Sequence, residues 1–277
     1  MSPFRGPKKP GQRRDEGGGV ARGSRAGSRG KAARGDESRP VREGATQRQK
    51  PSPSLPDPEK LVARQPWSSL RPMLEGAPVG VDGAIASLRT YALELLTWNR
   101  GVSNLISRHD EMRLVERHIA ESVFPAALLR ASGCERFVDL GSGAGLPAIP
   151  LAIAGIGANW TLVESRRNKT LFMRKAVQEC GLKNIDVECS RLETLLEESA
   201  DTYACDGFTS RATMTIGPTL EMAARLVKVG GKAFLWKGSS FEEELQAEGA
   251  TWEREWRFEA AHPIVSGPNV VAVFSKK

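Results

Sequence analysis

The sequence contains little cysteine, histidine or aromatic side chain. It has four Cys and three His, and Phe, Trp and Tyr together make up 6% of its 277 residues. The cysteines form no Cys-x-x-Cys pair and the histidines are far apart along the chain, so the pattern argues against a zinc site. We therefore predict no bound metal, and we interpret the cysteines as reduced core residues.

Long apolar runs are also missing. No run reaches the ~18 residues that a membrane span requires, and the N-terminus lacks the apolar stretch of a secretory signal. An Arg- and Ser-rich start is loosely typical of an organelle transit peptide, but its acidic residues argue against import. We expect a cytoplasmic monomer that makes no membrane contact.

Positive charge is concentrated at one end of the chain. The net charge is +7, yet residues 1–50 hold 14 Lys and Arg against 5 Asp and Glu, so the remainder is close to neutral. Gly, Arg, Ser and Pro dominate residues 1–58, a composition that cannot bury enough apolar surface to fold. We predict a disordered basic tail there. It is a solubilising segment, a misassigned protein start, or a weak electrostatic tether for RNA.

Two segments follow the predicted tail. Prolines punctuate residues 59–78, which we interpret as a linker. Helical periodicity begins after it, and residues 79–132 are predicted to form an N-terminal helical extension on the substrate side. An apolar stripe in this extension ends near Trp98, and a second helix is expected to break at Pro125.

Residues 133–277 show a different pattern. Short apolar strands alternate with amphipathic helices, and the last two strands have no helix between them. This alternation predicts an α/β fold with a doubly wound, mostly parallel sheet of seven strands. The last two strands are expected to form an antiparallel hairpin at the sheet edge.

The first strand of this domain leads into a glycine-rich turn, which begins at Asp139 and continues Leu-Gly-Ser-Gly-Ala-Gly-Leu-Pro. Glycines allow a sharp turn and let a ligand approach the main chain closely. The spacing is Gly-x-Gly-x-Gly, and Leu146 stands where a dinucleotide fingerprint has its last glycine. The turn and its preceding acid resemble the first motif of S-adenosylmethionine methyltransferases. A nicotinamide enzyme and a nucleotide-free fold remain alternatives.

Two further positions fit a nucleoside cofactor. The second strand ends in Glu164, whose carboxylate suits hydrogen bonds to both ribose hydroxyls. The third strand leads into Ser190-Arg191-Leu192-Glu193, where the Leu192 amide and the Glu193 side chain could bind the adenine edge. The alternative is a capping box, in which Ser190 and Glu193 satisfy the first amides of a helix.

From about residue 90 to 240 the chain resembles the bacterial RsmG (GidB) family, which methylates N7 of a guanine in small-subunit ribosomal RNA. The similar segments are an extended first motif with two prolines, short motifs after the later strands, and motifs in the N-terminal helices. They are 139–152, Glu164-Ser165 with Lys169 and Phe172-Met173-Arg174, Ser190-Arg191-Leu192-Glu193, Thr209-Ser210-Arg211-Ala212, Leu235-Trp236-Lys237-Gly238, Trp98-Asn99-Arg100, Asn104-Leu105 and Arg117-His118. Ala148 departs from the usual glycine, one extra residue separates Trp98 from Asn104, and the basic tail is outside the common pattern.

The resemblance implies a Rossmann-like class I methyltransferase that uses S-adenosyl-L-methionine and acts on 16S ribosomal RNA or the small ribosomal subunit. It also implies two sets of site residues. Cofactor contacts fall on Gly141, Gly143, Leu146, Glu164, Leu192, Glu193 and Arg211. Substrate contacts fall on Asn104, Arg117, His118, Arg211 and Lys237.

Guanine N7 carries a lone pair and no proton, so its methylation requires no general base, and positioning supplies the catalysis. Cations would instead hold phosphates or guanine O6. Structural roles remain open for three residues: Arg211 could pair with Asp139 or Glu193, His118 could be a core histidine, and Trp98 could pack between helices. The alternative functions are methylation of a protein or small molecule, and a catalytically silent RNA-binding protein of the same fold.

Overall fold

The computed structural model describes residues 56–264 and 267–277. Most of the predicted basic tail, residues 1–55, therefore lies outside the described residues. Within the described part, no helix is both long enough and apolar enough to cross a membrane.

The N-terminal part of the described chain is helical. Its elements are α1 (Pro58–Arg64), a 3-10 helix (Trp67–Leu74), α2 (Gly80–Gly101), α3 (Arg108–Glu111), a π-helical turn (Val115–Ile119), α4 (Ala120–Val123) and α5 (Ala126–Ala131). The break predicted at Pro125 separates α4 from α5. The π-helical turn was not predicted from the sequence, which indicated a single helix interrupted only at Pro125.

The linker predicted over residues 59–78 is wrong, because α1 and the 3-10 helix occupy most of this segment. Their apolar side chains are buried, including Leu61, Trp67 and Leu70. The Asp57 carboxylate accepts a hydrogen bond from the Glu59 amide at 3.0 Å and so caps α1. Proline is favoured at the first position of a helix, and Pro58, which the prediction placed at the end of the tail, begins α1.

The second part of the chain alternates strands with helices. Its elements are β1 (Arg136–Leu140), α6 (Ala148–Ile153), β2 (Asn159–Val163), α7 (Arg167–Glu179), β3 (Ile185–Glu188), α8 (Leu192–Ser199), a 3-10 helix (Ala200–Tyr203), β4 (Cys205–Arg211), α9 (Ile216–Ala224), β5 (Val227–Lys237), α10 (Phe241–Ala247), α11 (Gly249–Trp252), β6 (Trp256–Pro263) and β7 (Val270–Lys276).

These strands form a seven-stranded sheet in the order β3-β2-β1-β4-β5-β7-β6. Strands β1 to β5 pair in parallel, whereas β7 is antiparallel to both β5 and β6. The predicted α/β fold with a mostly parallel seven-stranded sheet and a closing edge hairpin is confirmed. The strand order reverses between β1 and β4, and ligands of such sheets bind at the carboxyl ends of the strands near this reversal.

Helices cover both faces of the sheet. On one face α6 and α7 contribute Ile149 and Phe172 to a core that also contains residues of α2. On the other face α8 and α9 contribute Leu195 and Leu220. Because α2 shares the first core, the N-terminal helices and the sheet belong to one compact unit, and this positions the helices beside the strand ends.

Candidate active site

The glycine-rich turn closes over the end of β2. Gly141, Gly143 and Gly145 all have positive φ angles, between 59° and 76°. The Gly141 amide donates to the Val163 carbonyl at 2.9 Å. A Cβ on Gly141 would overlap the methyl group of Thr213, so this position requires glycine. A Cβ on Gly143 would make only ordinary contacts, 3.7 Å from the Gly141 carbonyl oxygen and 3.8 Å from Lys169 Nζ, so a ligand can approach the backbone closely where this glycine has no side chain.

Glu164 connects this turn to α7. Its carboxylate accepts hydrogen bonds from the Gly143 amide at 3.1 Å and from the Arg166 amide at 2.9 Å. Lys169 Nζ lies 4.0 Å from it. The structure therefore brings together Glu164 and Gly143, two of the residues predicted to contact the cofactor. Leu146 follows in the same turn and is half-buried.

The predicted adenine loop lies at the end of β3, where α8 begins. Leu192 is buried, whereas Glu193 lies exposed in the first turn of α8. The Ser190 hydroxyl donates to the Arg191 carbonyl at 3.2 Å. The Glu193 side chain is thus on the surface and open to a ligand at the end of β3.

Tyr91 is a residue that sequence reasoning missed. It belongs to α2, is fully buried, and its hydroxyl donates to the Ala144 carbonyl in the glycine-rich turn at 2.6 Å. Burial raises the pKa of the Tyr91 phenol well above 10. The ring centroid lies 6.2 Å from that of Phe172 on α7. Tyr91, one of the two tyrosines in the sequence, therefore links the N-terminal helices to the glycine-rich turn. Its position on the apolar stripe of α2 is the sequence feature that could have indicated this contact.

Asp139 is the last residue but one of β1 and is fully buried. The Thr209 hydroxyl on β4 donates to its Oδ1 at 2.6 Å, while Oδ2 has no hydrogen-bond partner among the described residues. Burial raises the pKa of this carboxyl to about 7. The acid that precedes the glycine-rich turn thus links the ends of β1 and β4 directly beneath the turn.

Arg211 pairs with Glu121, so neither of its two expected partners, Asp139 and Glu193, was right. Arg211 ends β4, and its Nη2 lies 2.6 Å from Glu121 Oε2 on α4. The same nitrogen donates to the Arg117 carbonyl at 3.1 Å. The prediction considered only partners within the sheet domain, whereas packing brings a carboxylate from the N-terminal helices.

A pocket of about 240 Å³ opens at the carboxyl ends of β4 and β5. Its polar lining comes from the N-terminal helices, the ends of these strands and the start of β7. These residues are Arg117, Glu121, Arg211, Trp236, Lys237 and Asn269. Sheet order places β4 on the other side of β1 from β2, so this pocket and Glu164 flank the glycine-rich turn.

Three predicted substrate residues, Arg117, Arg211 and Lys237, meet in this pocket. Lys237 is nearly buried, donating to the Met214 carbonyl at 2.7 Å and pairing with Glu244 at 2.8 Å. The Arg117 side chain is 39% exposed and lies 3.5 Å from Glu121. Among these cations, Arg117 therefore has the most surface left for an incoming ligand.

The other two substrate candidates are not among the pocket-lining residues. Asn104 is exposed in the loop after α2. His118 lies on the π-helical turn, mostly buried, with Nε2 3.7 Å from Asp110. Burial, reinforced by the charge of Arg211, lowers the pKa of His118 to about 4, so its imidazole is neutral at pH 7. Trp98 packs 6.0 Å from the Phe172 ring, as its helix-packing alternative predicts.

Metal-ligating side chains do not gather at this site. Among the described residues, no group of three or more His, Cys, Asp and Glu could hold a metal ion.

The fold and site together define a class of protein. The parallel order β3-β2-β1-β4-β5 with an antiparallel β7, the glycine-rich turn after β1 and the carboxylate after β2 are the features of a class I S-adenosylmethionine-dependent methyltransferase.

Comparison with known proteins identifies the family. The family model GidB, described as rRNA small subunit methyltransferase G, matches residues 84–268. Ribosomal RNA small subunit methyltransferase G of Stenotrophomonas maltophilia is 39% identical over 178 residues, 64% of this chain and 80% of the relative. Its namesake from Sodalis glossinidius is 34% identical over 208 residues, 73% of this chain and 97% of the relative. The chain belongs to the GidB family of small-subunit rRNA methyltransferases, which confirms the predicted family.

Solved structures also align with the chain. An rRNA methylase from Streptococcus thermophilus covers 55% of this chain and 94% of its own length, at 13% identity and a TM-score of 0.43. A likeness of this size adds nothing to the family assignment, which follows from the sequence matches.

Proposed function

We propose that this chain transfers the methyl group of S-adenosylmethionine to N7 of a guanine in 16S ribosomal RNA. The observation that carries the proposal is the acceptor pocket, the 240 Å³ cavity at the ends of β4 and β5. It lies across the glycine-rich turn from Glu164, on the side where a methyl donor anchored by its ribose at Glu164 would direct its reactive end.

The residues present fit the cofactor. Gly143 has no side chain and so lets a ligand approach its backbone closely, and the Glu164 carboxylate suits a ribose diol. The buried Oδ2 of Asp139, which lacks a partner in the described part of the chain, lies beneath the turn. In the proposal, Gly141, Gly143, Leu146 and Glu164 hold the ribose and methionine portions, and Leu192 and Glu193 hold the adenine.

The charge balance of the acceptor pocket fits methylation at N7. The bound cofactor supplies an electrophilic methyl group, and the guanine ring gains positive charge as N7 is methylated. Each basic side chain of the pocket already has a carboxylate partner. Glu121 lies 3.5 Å from Arg117 and 2.6 Å from Arg211, and Glu244 lies 2.8 Å from Lys237. The lining of the acceptor pocket therefore repels the positive charge that develops on the guanine ring less than unpaired Arg and Lys side chains would.

In this mechanism the chain supplies orientation and exclusion of water rather than a base. N7 needs no deprotonation, so the pocket must only align N7 with the methyl group. Arg117, the more exposed pocket arginine, is proposed to contact a phosphate or guanine O6, and the exposed Asn104 an adjoining part of the RNA. His118 and Lys237 are proposed to support this surface from their largely buried positions.

The proposal also concerns the setting in which the chain works. Because ribosomal RNA is the proposed acceptor, we place the chain in the cytoplasm, acting as a monomer on the small ribosomal subunit or its RNA. Sedimentation of the purified full chain tests the monomer, for which a single species of about 30 kDa is expected.

Transfer of labelled methyl groups tests the acceptor class. Full-length protein is incubated with labelled S-adenosylmethionine and with small-subunit RNA, whole small subunits, or large-subunit RNA. The proposal predicts label on small-subunit RNA or subunits and at least tenfold less on large-subunit RNA.

Arg117→Gln should weaken transfer about tenfold by removing a phosphate or O6 contact. Arg113→Gln, which removes a nearby arginine outside the pocket, is the matched control. Cofactor binding without RNA label would refute the proposed acceptor.

A further inference from the structure

Glu121 joins the separate walls of the acceptor pocket. It lies on α4, almost fully buried, and its carboxylate contacts Arg211 at 2.6 Å, Asn269 at 3.4 Å and Arg117 at 3.5 Å. Its backbone carbonyl accepts a hydrogen bond from Trp236 Nε1 at 2.9 Å. A single residue thus connects α4 with the π-helical turn and with the ends of β4, β5 and β7.

The π-helical turn completes this arrangement. Such turns displace backbone groups from their α-helical partners and often occur at functional sites. Arg211 donates to the Arg117 carbonyl at 3.1 Å and to the His118 carbonyl at 3.3 Å. It also reaches the Ser122 hydroxyl at 3.3 Å. The planar guanidinium, which presents its donors in a fixed fork, therefore holds the turn and the Glu121 carboxylate at once.

These contacts use most of the binding capacity of Arg211 inside the protein. Two of its nitrogens make four contacts with α4 and the π-helical turn. Arg117 shares the same carboxylate but remains 39% exposed. The two arginines of the pocket therefore differ, since one is fixed within the wall and the other is available at its rim.

We propose that Glu121 is a positioning residue, which acts through Arg211 to hold the N-terminal helices against the end of β4 and so fixes the geometry of the acceptor pocket. This inference rests on the proposed function, because it assigns the pocket to the methyl acceptor. A misplacement of about 1 Å at a reacting centre reduces rate about 100-fold. Loss of the Glu121 carboxylate should therefore reduce transfer by about that factor.

Kinetics of single and double variants test the proposal. Glu121→Gln and Arg211→Lys are each expected to lower kcat/KM for the RNA about 100-fold. The double variant should be no worse than about 100-fold, because the two residues act as one unit. Glu121→Asp, which retains the carboxylate, should recover at least tenfold over Glu121→Gln. Affinity for S-adenosylhomocysteine, measured by calorimetry, should stay within about threefold in the two Glu121 variants.

Glu116→Gln is the matched control, since it removes an exposed glutamate from the same π-helical turn. It should leave kcat/KM within about twofold of the native chain. If Glu121→Gln behaves like this control, or if the losses in the double variant multiply, the positioning role is overturned.

Hydrogen exchange separates this inference from the proposed function. Exchange of the backbone amides between residues 115 and 123 is followed by mass spectrometry, which does not depend on activity. Arg211→Lys should increase exchange there at least tenfold, and Glu116→Gln should not. If the native chain fails to methylate RNA, the proposed function is overturned. Unchanged exchange in Arg211→Lys would overturn the proposed positioning role of Glu121 and Arg211.

Discussion

Replacement of Asp139 by Asn should change how stability depends on pH. The Asp139 carboxyl is fully buried, and burial raises its pKa from 3.8 to about 7. The folded chain therefore keeps a proton on this group until about pH 7, whereas the unfolded chain releases it near pH 4. As pH rises through this window the native chain loses stability, by about 4 kcal/mol for a shift of about three pKa units.

In the Asp139→Asn variant the side chain at this position does not titrate. Its amide oxygen can still accept a hydrogen bond from the Thr209 hydroxyl. Its NH₂ group stands where Oδ2 has no partner in the described residues, and burying an unpaired donor costs about 1–3 kcal/mol at every pH. The informative quantity is consequently the change with pH. Between pH 5 and pH 8 the stability of Asp139→Asn relative to the native chain should rise by about 2.5 kcal/mol.

Urea unfolding of both proteins at a series of pH values measures this difference, since other titrations are common to the two and cancel. Asp186→Asn removes an exposed carboxylate from β3 and serves as the control. Parallel stability profiles for native chain and Asp139→Asn between pH 5 and pH 8 would refute the reasoning, because they would mean that Asp139 titrates alike in the folded and unfolded states.

Three further substitutions test the rest of the site. Tyr91→Phe leaves the buried Ala144 carbonyl without its donor and should lower the free energy of unfolding by about 1–3 kcal/mol in urea; an unchanged midpoint would contradict the contact. Glu164→Gln should weaken S-adenosylhomocysteine binding about tenfold by calorimetry, and unaltered affinity would exclude a ribose role. Ala212 has a φ of 55°, so Ala212→Gly should stabilise the chain by about 1 kcal/mol in urea unfolding, and destabilisation would contradict backbone strain at this position.

Local features of the site could be predicted from the sequence because their chemistry lies within a few residues. The glycine spacing at 141–145 requires a tight turn, and Glu164 follows an apolar strand that must lie beside the first. The strand–helix alternation likewise fixes a parallel sheet, because parallel strands need crossover connections. These inferences depend on periodicity and on short motifs, and they agree with the observed strand order.

Contacts between distant parts of the chain could not be predicted in the same way. Glu121 and Arg211 are 90 residues apart, and Tyr91 and Ala144 are 53 apart. No local pattern shows which carboxylate will meet a given arginine, since packing of the N-terminal helices on the sheet decides it. The linker predicted over residues 59–78 failed for a related reason: its prolines suggested irregular chain, whereas burial of Leu61 and Leu70 favours helices.

The position of the transferred methyl group tests the central claim most directly. Small-subunit RNA methylated by the full chain is digested to nucleosides, and the labelled product is compared with standards by mass spectrometry. The account predicts label in 7-methylguanosine, because the acceptor pocket aligns a ring nitrogen without removing a proton. Label in an N-methylated exocyclic amine or in a ribose methyl would contradict it, because both acceptors must lose a proton during transfer.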